Sequence, residues 1–251
     1  MTVGVISALP EEIRRLGDHL EVADKIARGG YAFRVGKIDG IPVALVEAGI
    51  GKVNTALVAT LLFDHFHCSS VLFTGVAGGI DPSLRIGDVV VGDRLIQHDY
   101  GAIVRGKIRN YRPGALPDGD PRDDPVFSLE PGLKERLRHR LEGFELPLLP
   151  KAATGEEARR PTLTFGTIVS GDQFINCEDT RRRLFAEFGA QAVEMEGAAL
   201  AQVAQQFGAP CVSVRCLSDL AGAESHIDFM AFLSSASEIA AAVLRRILPV
   251  M

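Results

Sequence analysis

Two acidic residues, Glu194 and Glu196, stand two positions apart among small and apolar neighbours in 191–199. In an extended segment, this spacing places both side chains on one face. Burying a carboxylate without partners costs roughly several kcal/mol. A carboxylate can, however, accept hydrogen bonds from two vicinal hydroxyls, as acidic residues do with ribose in nucleotide sites. The pair indicates a candidate sugar site. The spacing alone somewhat favours a plainer interpretation, a solvated strand end that enters a helix.

A second candidate, Asp219, follows Ser218 at the end of a strongly apolar run, 211–217. Ligands of open α/β sheets bind beyond the carboxyl ends of strands. A protonated Asp219 could act there as the general acid for a leaving group. The alternative is that Asp219 caps the turn that follows it, 220–222.

Three further residues could take part in such chemistry. Glu11 and Glu12 follow the first apolar run, where a carboxylate could deprotonate a water or could only stabilise a helix N-terminus. Phe174 lies in a turn rich in Gly, Asp and Asn, where it could stack on a nucleobase or pack locally. These local patterns leave both interpretations open.

A glycine-rich segment, TGVAGG at 74–79, follows another apolar run. It matches neither the G-x-x-x-x-G-K-[ST] nor the G-x-G-x-x-G phosphate motif. We therefore expect these glycines to let a ligand approach the backbone, not to cradle a phosphate. The side chain of Val76 offers no hydrogen bond.

The elements that must position these residues alternate between apolar strands and helical patterns. This alternation predicts an α/β fold with a mixed central β-sheet flanked by helices, in one domain spanning 1–251. The Asp39-Gly40 pair between the runs 31–38 and 42–48 is a hairpin signal that supplies antiparallel pairing. Further predicted strands are 2–8, 71–74, 88–96, 163–170, 191–195 and 211–217, and predicted helices begin at Pro10 and cover about 53–66, 130–142, 197–207 and 228–248.

The composition changes over about 101–162, where arginines, lysines and prolines accumulate. This stretch predicts a long loop followed by a surface helix, and loops of such length are commonly functional or mobile. Its first part, 101–116, is basic although the whole chain carries a net charge of −5.

Composition also argues against several classes of protein. The acidic net charge gives no electrostatic case for a nucleic-acid partner. The four cysteines lack metal-ligand spacing, which favours free thiols in a reducing cytosol and no metal. We see no signal peptide and no apolar stretch of about 18 residues that would suggest a membrane span. We therefore expect a cytoplasmic protein without a membrane partner.

Taken together, the motifs resemble one family. In order, they are ALPEE (8–12), AGIGK (48–52), TGVAGG (74–79), GDVV (87–90), SGDQFIN (170–176), VEME (193–196) and Ser218-Asp219. This order and context resemble 5′-methylthioadenosine/S-adenosylhomocysteine nucleosidases, which belong to the nucleoside phosphorylase superfamily. The resemblance covers nearly the whole chain apart from about 104–162. It implies a homodimer that hydrolyses the N-glycosidic bond of an adenine nucleoside without a cofactor.

The resemblance also implies roles at the matching positions. Glu12 would activate the attacking water, and Asp219, beside Ser218, would protonate the purine at N7. The remaining implied contacts are with the substrate: Glu196 with the ribose hydroxyls, Glu194 in support, Met195 with the sugar, Phe174 and the backbone of Ile175 with adenine, Arg215 with the carboxylates and water, and Ile50 and Phe229 with the 5′ substituent.

Differences from the related enzymes keep alternative functions open. Phosphorylases of the superfamily carry Arg and Ser where Phe73 and Val76 stand here, and an anion site without cation or hydroxyl is disfavoured. This favours hydrolysis over phosphorolysis. The hydrolases themselves commonly have Ser at the position of Val76, so another 5′-substituted adenosine, such as aminodeoxyfutalosine or an adenosyl lipid precursor, stays open as the substrate. A nucleoside-binding protein without activity is a third alternative, which Glu12, Glu196 and Asp219 together disfavour.

The basic stretch 101–116 carries its own alternatives. It could be a solvated loop, or one of its arginines could reach an anionic 5′ tail such as the amino-acid carboxylate of S-adenosylhomocysteine. In the related family this region approaches the partner subunit's site. The candidate residues are Arg105, Arg109 and Arg112.

Overall fold

The structure, a computed structural model, describes residues 1–115, 124–154, 157–221 and 229–251, with the side chains of 152, 154 and 229–231 outside the description. The strands are β1 (Thr2–Ser7), β2 (Glu21–Arg28), β3 (Tyr31–Ile38), β4 (Ile41–Glu47), β5 (Cys68–Gly79), β6 (Val89–Gln97), β7 (Gly101–Val104), β8 (Lys107–Asn110), β9 (Phe127–Ser128), β10 (Leu163–Ser170), β11 (Ala192–Glu194) and β12 (Cys211–Asp219). The helices are α1 (Pro10–Gly17), α2 (Lys52–Asp64), α3 (Pro131–Leu141), α4 (Lys151–Thr154), α5 (Glu178–Phe188), α6 (Gly197–Gln206) and α7 (Phe229–Ile247), and a 3₁₀ turn, Leu248–Val250, follows.

One sheet holds ten of these strands, in the order β11-β10-β6-β12-β5-β1-β4-β3-β2, with β9 beside β6. Its pairings are both parallel and antiparallel, so the predicted mixed sheet is confirmed. A further antiparallel pairing between β11 and β5 closes the five strands β11, β10, β6, β12 and β5 into a ring. Apolar side chains pack on both faces of the sheet. One core cluster contains residues of α1 and α7, and another contains residues of α2 and α6.

The parallel strands β1, β5 and β12 position the candidate site. Ser7 at the end of β1 pairs with Thr74 of β5, and Thr74 pairs with Val214 of β12. The residues that follow these three positions therefore meet at one edge of the sheet. This register brings together segments that are about 60 to 200 residues apart in the chain.

Two of the longer elements, β2 and α5, were not predicted from the sequence. Strand β2 is an edge strand whose side chains are nearly all exposed, so its residues do not show the alternation of apolar and polar types that marks a half-buried strand. Helix α5 carries six charged residues among eleven and buries only Leu184. Neither element contains the apolar periodicity on which recognition from sequence depends.

The predicted long loop after residue 100 begins instead as a hairpin of β7 and β8. Its two-residue turn, Arg105-Gly106, has positive φ angles of 51° and 77°, as hairpin turns of this length require. The side-chain amide of Asn110 donates to the carbonyls of Gln97, His98 and Tyr100 at 2.9–3.1 Å. The hairpin is thereby fixed to the end of β6. Among the described residues, no helix is long and apolar enough to cross a bilayer.

Candidate active site

Glu12 lies in the first turn of α1, with its side chain turned into the protein and only 5 % exposed. The helix begins because Pro10 suits its first position and the extended Leu9 precedes it. One carboxylate oxygen of Glu12 accepts from the backbone N–H groups of Ala8 and Leu9 at 3.0 and 2.8 Å. The other oxygen accepts from the N–H of Val76 at 3.0 Å. Glu12 therefore caps the helix, as one interpretation expected, and also reaches β5.

Burial raises the pKa of Glu12, and the charge of Arg215 and the three backbone N–H groups act against that rise. A general base works best when its pKa approaches the working pH. Glu12 is thus a stronger base than an exposed glutamate, and three backbone donors hold it in place.

Arg215 is fully buried in β12 and is the cation of a cluster of carboxylates. One of its terminal nitrogens contacts Glu194 and lies 3.4 Å from Glu196. Its guanidinium carbon lies 4.3 Å from the ring centroid of Phe73, a cation–π contact. Removing one partner from a buried ion pair leaves an uncompensated charge, so Arg215 is needed for both glutamates to stay buried.

Glu194 and Glu196 are 6 % and 4 % exposed, so the interpretation of a solvated strand end is wrong. Glu194 ends β11 and accepts from the hydroxyl of Ser170 and from the N–H groups of Glu196 and Gly197. Glu196 precedes α6 and accepts from the N–H of Gly51 at 2.8 Å and, more weakly, from that of Met195 at 3.3 Å. Glu196 therefore keeps more unused acceptor capacity than Glu194, which suits a ligand for hydroxyl groups.

Burial, and then repulsion from Glu194, raise the pKa of Glu196 to about 7 despite the charge of Arg215. Between the ordinary value of 4.5 and about 7, the folded protein holds a proton that the unfolded chain has released. Folding stability from this group is complete below about 4.5 and is lost as the pH rises to about 7.

We expect Glu196→Gln to remove this pH dependence, because glutamine does not ionise. Between pH 5 and pH 7.5, the unfolding free energy of the wild type should fall relative to that of the variant by on the order of 2 kcal/mol. Urea unfolding of both proteins at the two pH values measures this difference. Parallel pH profiles would contradict the prediction. Glu21→Gln, at an exposed position of β2, serves as the control.

The glycine-rich segment belongs to β5, because Gly75 to Gly79 are the last residues of that strand. A Cβ atom on Gly75 would lie 2.3 Å from Nη1 of Arg215 and 2.9 Å from Oε1 of Glu12. A Cβ on Gly78 would lie 3.1 Å from Oδ1 of Asp219. These glycines make room for the protein's own charged side chains, and the approach of a ligand to their backbone stays a prediction.

Asp219 ends β12 with both carboxylate oxygens hydrogen-bonded. The hydroxyl of Ser218 donates to Oδ2 at 2.8 Å, and the N–H of Ala221 donates to Oδ1 at 2.7 Å. The second contact is the turn cap that the sequence left as an alternative. It also fixes the carboxyl group beside Gly78, at the strand end where a ligand of an α/β sheet binds.

Two residues expected to contact the substrate are open to solvent. Phe174 exposes 76 % of its surface, so it does not pack locally, and Ile50 exposes 52 %. Met195 and Val76 are half-buried, and Ile175 packs against the cluster that contains Val193. Phe229 begins α7, but its side chain lies outside the described residues.

The side chain of Arg112 is engaged by other residues of the protein. Its guanidinium donates to the carbonyls of Asp124 and Val126 and to the side chain of Gln205, and lies 4.7 Å from the ring centroid of Phe127. The hairpin residues Arg105 and Arg109 are exposed. Of the three arginines considered for an anionic 5′ tail, these two have side chains open to solvent.

Reasoning from the sequence gave no role to three residues that contact the site's charged groups. Gly51 donates to Glu196, Ser170 donates to Glu194, and Phe73 underlies Arg215. Gly51 and Ser170 stand in the motifs AGIGK and SGDQFIN, so position within a motif was the signal that could have found them. No group of His, Cys, Asp and Glu side chains in the described parts of the chain is arranged to hold a metal ion.

Comparison with known proteins places this geometry in a family. Residues 2–249 match the model of the phosphorylase superfamily. A 5′-methylthioadenosine/S-adenosylhomocysteine nucleosidase of Mycobacterium tuberculosis is 46 % identical over 251 residues, which is all of this chain and 98 % of the relative.

Two solved structures are also similar. A 5′-methylthioadenosine/S-adenosylhomocysteine nucleosidase of Colwellia psychrerythraea, in complex with adenine, is 33 % identical with a TM-score of 0.81, over 100 % of this chain and 95 % of that one. A futalosine hydrolase of Helicobacter pylori is 29 % identical with a TM-score of 0.81, over 100 % and 98 %. The chain belongs to the phosphorylase superfamily and, within it, to the family of 5′-methylthioadenosine/S-adenosylhomocysteine nucleosidases.

Proposed function

We propose that this protein hydrolyses the N-glycosidic bond of 5′-methylthioadenosine and S-adenosylhomocysteine and releases adenine. The observation that carries the proposal is the buried group of Glu12, Glu194 and Glu196 around Arg215, at the sheet edge where Asp219 also lies. The Mycobacterium tuberculosis relative is named for both nucleosides. The group supplies a base, a ligand for sugar hydroxyls and a nearby acid, which are the parts that this reaction needs.

In the proposed reaction, Glu12 takes a proton from a water molecule whose oxygen forms a bond to C1′ of the ribose. The bond between C1′ and N9 breaks, and its electron pair goes to the purine. Asp219 delivers a proton to N7, so adenine leaves without a negative charge. The sugar passes through an oxocarbenium-like state, as in other glycoside hydrolyses, and nearby carboxylates stabilise its positive charge.

Substrate binding in this proposal uses the residues around that centre. Glu196 accepts from the ribose hydroxyls, and Arg215 and Glu194 keep it in place. Phe174 stacks on adenine while the backbone of Ile175 contacts the edge of the base. Met195 packs against the sugar. Ile50 lines the space around the 5′ substituent, as the family resemblance also implies for Phe229. Val76 adjoins Glu12 and the water that Glu12 activates, and Ser218 orients Asp219.

Hydrolysis is favoured over phosphorolysis by the surroundings of β5. Phe73 is buried against Arg215, and the N–H of Val76 donates to Glu12. Neither residue supplies a side-chain cation or hydroxyl for a phosphate ion.

The test of hydrolysis is to compare adenine release from 5′-methylthioadenosine in phosphate-free buffer and in buffer with phosphate. We expect equal rates, and strict dependence on phosphate would contradict the proposal.

A second candidate substrate follows from the futalosine hydrolase that this fold resembles. Val76 stands where the nucleosidases commonly have Ser, so another 5′-substituted adenosine, such as aminodeoxyfutalosine, is the alternative. Assaying a panel of 5′-substituted adenosines separates the two. Negligible turnover of methylthioadenosine beside rapid turnover of another member would favour the alternative.

The same proposal includes a cytoplasmic homodimer. Four free cysteines suit a reducing compartment. Three apolar side chains near the proposed site face solvent. Val53 and Leu57 on α2, close in sequence to Ile50, expose 80 % and 46 % of their surface, and Ile103 on β7, close to the basic hairpin turn, exposes 79 %. Apolar side chains that face solvent near a site favour coverage by a second copy. Sedimentation velocity of the purified protein measures the oligomeric state, and a monomer at micromolar concentration would contradict the dimer.

A further inference from the structure

A group of three charged residues lies beside the site and has no role in the reaction as described. Lys52, the first residue of α2, places its Nζ 2.8 Å from Oδ1 of Asp99 and 3.3 Å from Oδ2 of Asp172. The side chains of Lys52 and Asp99 are 16 % and 15 % exposed, whereas that of Asp172 is 57 % exposed. The contact between Lys52 and Asp99 is therefore largely shielded from solvent, where a charged hydrogen bond is worth more than at the surface.

This group joins two loops that carry residues of the proposed substrate site. The first loop is 48–51, before α2, and the second is 171–177, after β10. Asp99 uses one oxygen for Lys52 and the other for the backbone N–H of Asp172, at 2.8 Å. Asp172 in turn accepts from the backbone N–H of Lys52 at 3.4 Å, at the N-terminus of α2. The preceding residue, Gly51, is the donor to Glu196, and Phe174 lies two residues beyond Asp172.

The backbone on both sides of Asp99 is held in place by Asn110. The side chain of Asn110 donates to the carbonyls of His98 and Tyr100, which flank it. Burial acts to raise the pKa of Asp99, but the hydrogen bonds from Lys52 and from the amide of Asp172 outweigh it and lower that pKa. The carboxylate is therefore charged at neutral pH and stays an acceptor for both loops.

We propose that Asp99 is a positioning residue that sets substrate affinity by holding the Gly51 donor and the Phe174 loop in the arrangement that binds a nucleoside. It acts through Lys52 on the first loop and through the amide of Asp172 on the second. The inference rests on the proposed function for the identity of the nucleoside. Loops already held in the bound arrangement lose less conformational freedom on binding, so affinity increases.

The test compares Asp99→Asn with Asp93→Asn. Asp93 is a matched control because it lies on β6, the strand that precedes Asp99, and pairs with Lys134 at 2.6 Å, outside the site. We expect Asp99→Asn to raise both KM for methylthioadenosine and Kd for adenine about tenfold, while kcat changes less than about threefold. Asp93→Asn should leave all three unchanged. Steady-state kinetics and titration calorimetry with adenine supply these values, and circular dichroism checks the fold.

Wild-type KM and Kd in Asp99→Asn, or an equal rise in Asp93→Asn, would overturn the inference. If Asp99→Asn does not fold, Lys52→Met is the second variant. It removes the shared cation and should raise KM and Kd in the same way, and unchanged values there would also overturn the inference. Failure of the wild type to release adenine would contradict the proposed function instead. The comparison of adenine binding would still decide the role of Asp99.

Discussion

Glu12→Gln is expected to lower adenine release by about 10²–10⁴-fold, because the amide cannot take a proton from water. The side chain keeps its length, so adenine binding should stay close to that of the wild type. One local cost is expected. Three backbone N–H groups point at the carboxylate, and an amide nitrogen cannot accept from them. The unpaired donor lowers the unfolding free energy by about 1–3 kcal/mol.

The measurement is single-turnover adenine release together with calorimetric adenine binding. Glu11→Gln is the matched control, because it makes the same change at the neighbouring position, where the side chain is not buried. We expect the control to retain the wild-type rate. Wild-type turnover in Glu12→Gln would remove Glu12 from the mechanism, whereas loss of both turnover and adenine binding would point to a distorted site.

Asp219→Asn is expected to leave almost no turnover, a loss of again about 10²–10⁴-fold, and to leave the fold intact. The asparagine carbonyl can still accept from the N–H of Ala221, which preserves the turn. The hydroxyl of Ser218 can accept from the new amide and donate to the carbonyl of Ala77, which lies 3.4 Å away. What the variant loses is the proton for the leaving purine.

A change of leaving group tests that explanation. A 5′-methylthioriboside with a p-nitrophenyl leaving group releases the stable p-nitrophenolate anion, which needs no proton from an acid. Asp219→Asn should therefore lose much less of the hydrolysis rate with this substrate than with methylthioadenosine. Thermal unfolding checks that the fold is kept. Asp81→Asn is the control, since Asp81 likewise accepts from a turn N–H, that of Ser83 at 2.8 Å. Full activity of Asp219→Asn on methylthioadenosine would show that another group is the acid.

The sequence was sufficient for most of the elements and for the identity of the site motifs. The hairpin at Asp39-Gly40, the strand Leu163–Ser170 and the helix that begins at Pro10 follow from turn chemistry and apolar periodicity, which act over a few residues. Turn chemistry and apolar periodicity do not predict an element that lacks an apolar pattern. The exposed strand β2 and the charged helix α5 were therefore missed.

The tertiary structure alone decided which of the open interpretations hold. Spacing left Glu194 and Glu196 slightly favoured as a solvated strand end, whereas the structure buries both against Arg215, about 20 residues further along. It turned Glu12 inward and placed Gly75 against Glu12 and Arg215. These contacts depend on the register of β1, β5 and β12. That register results from the packing of the whole sheet, because no local stretch of sequence contains the partners whose burial and charge determine it.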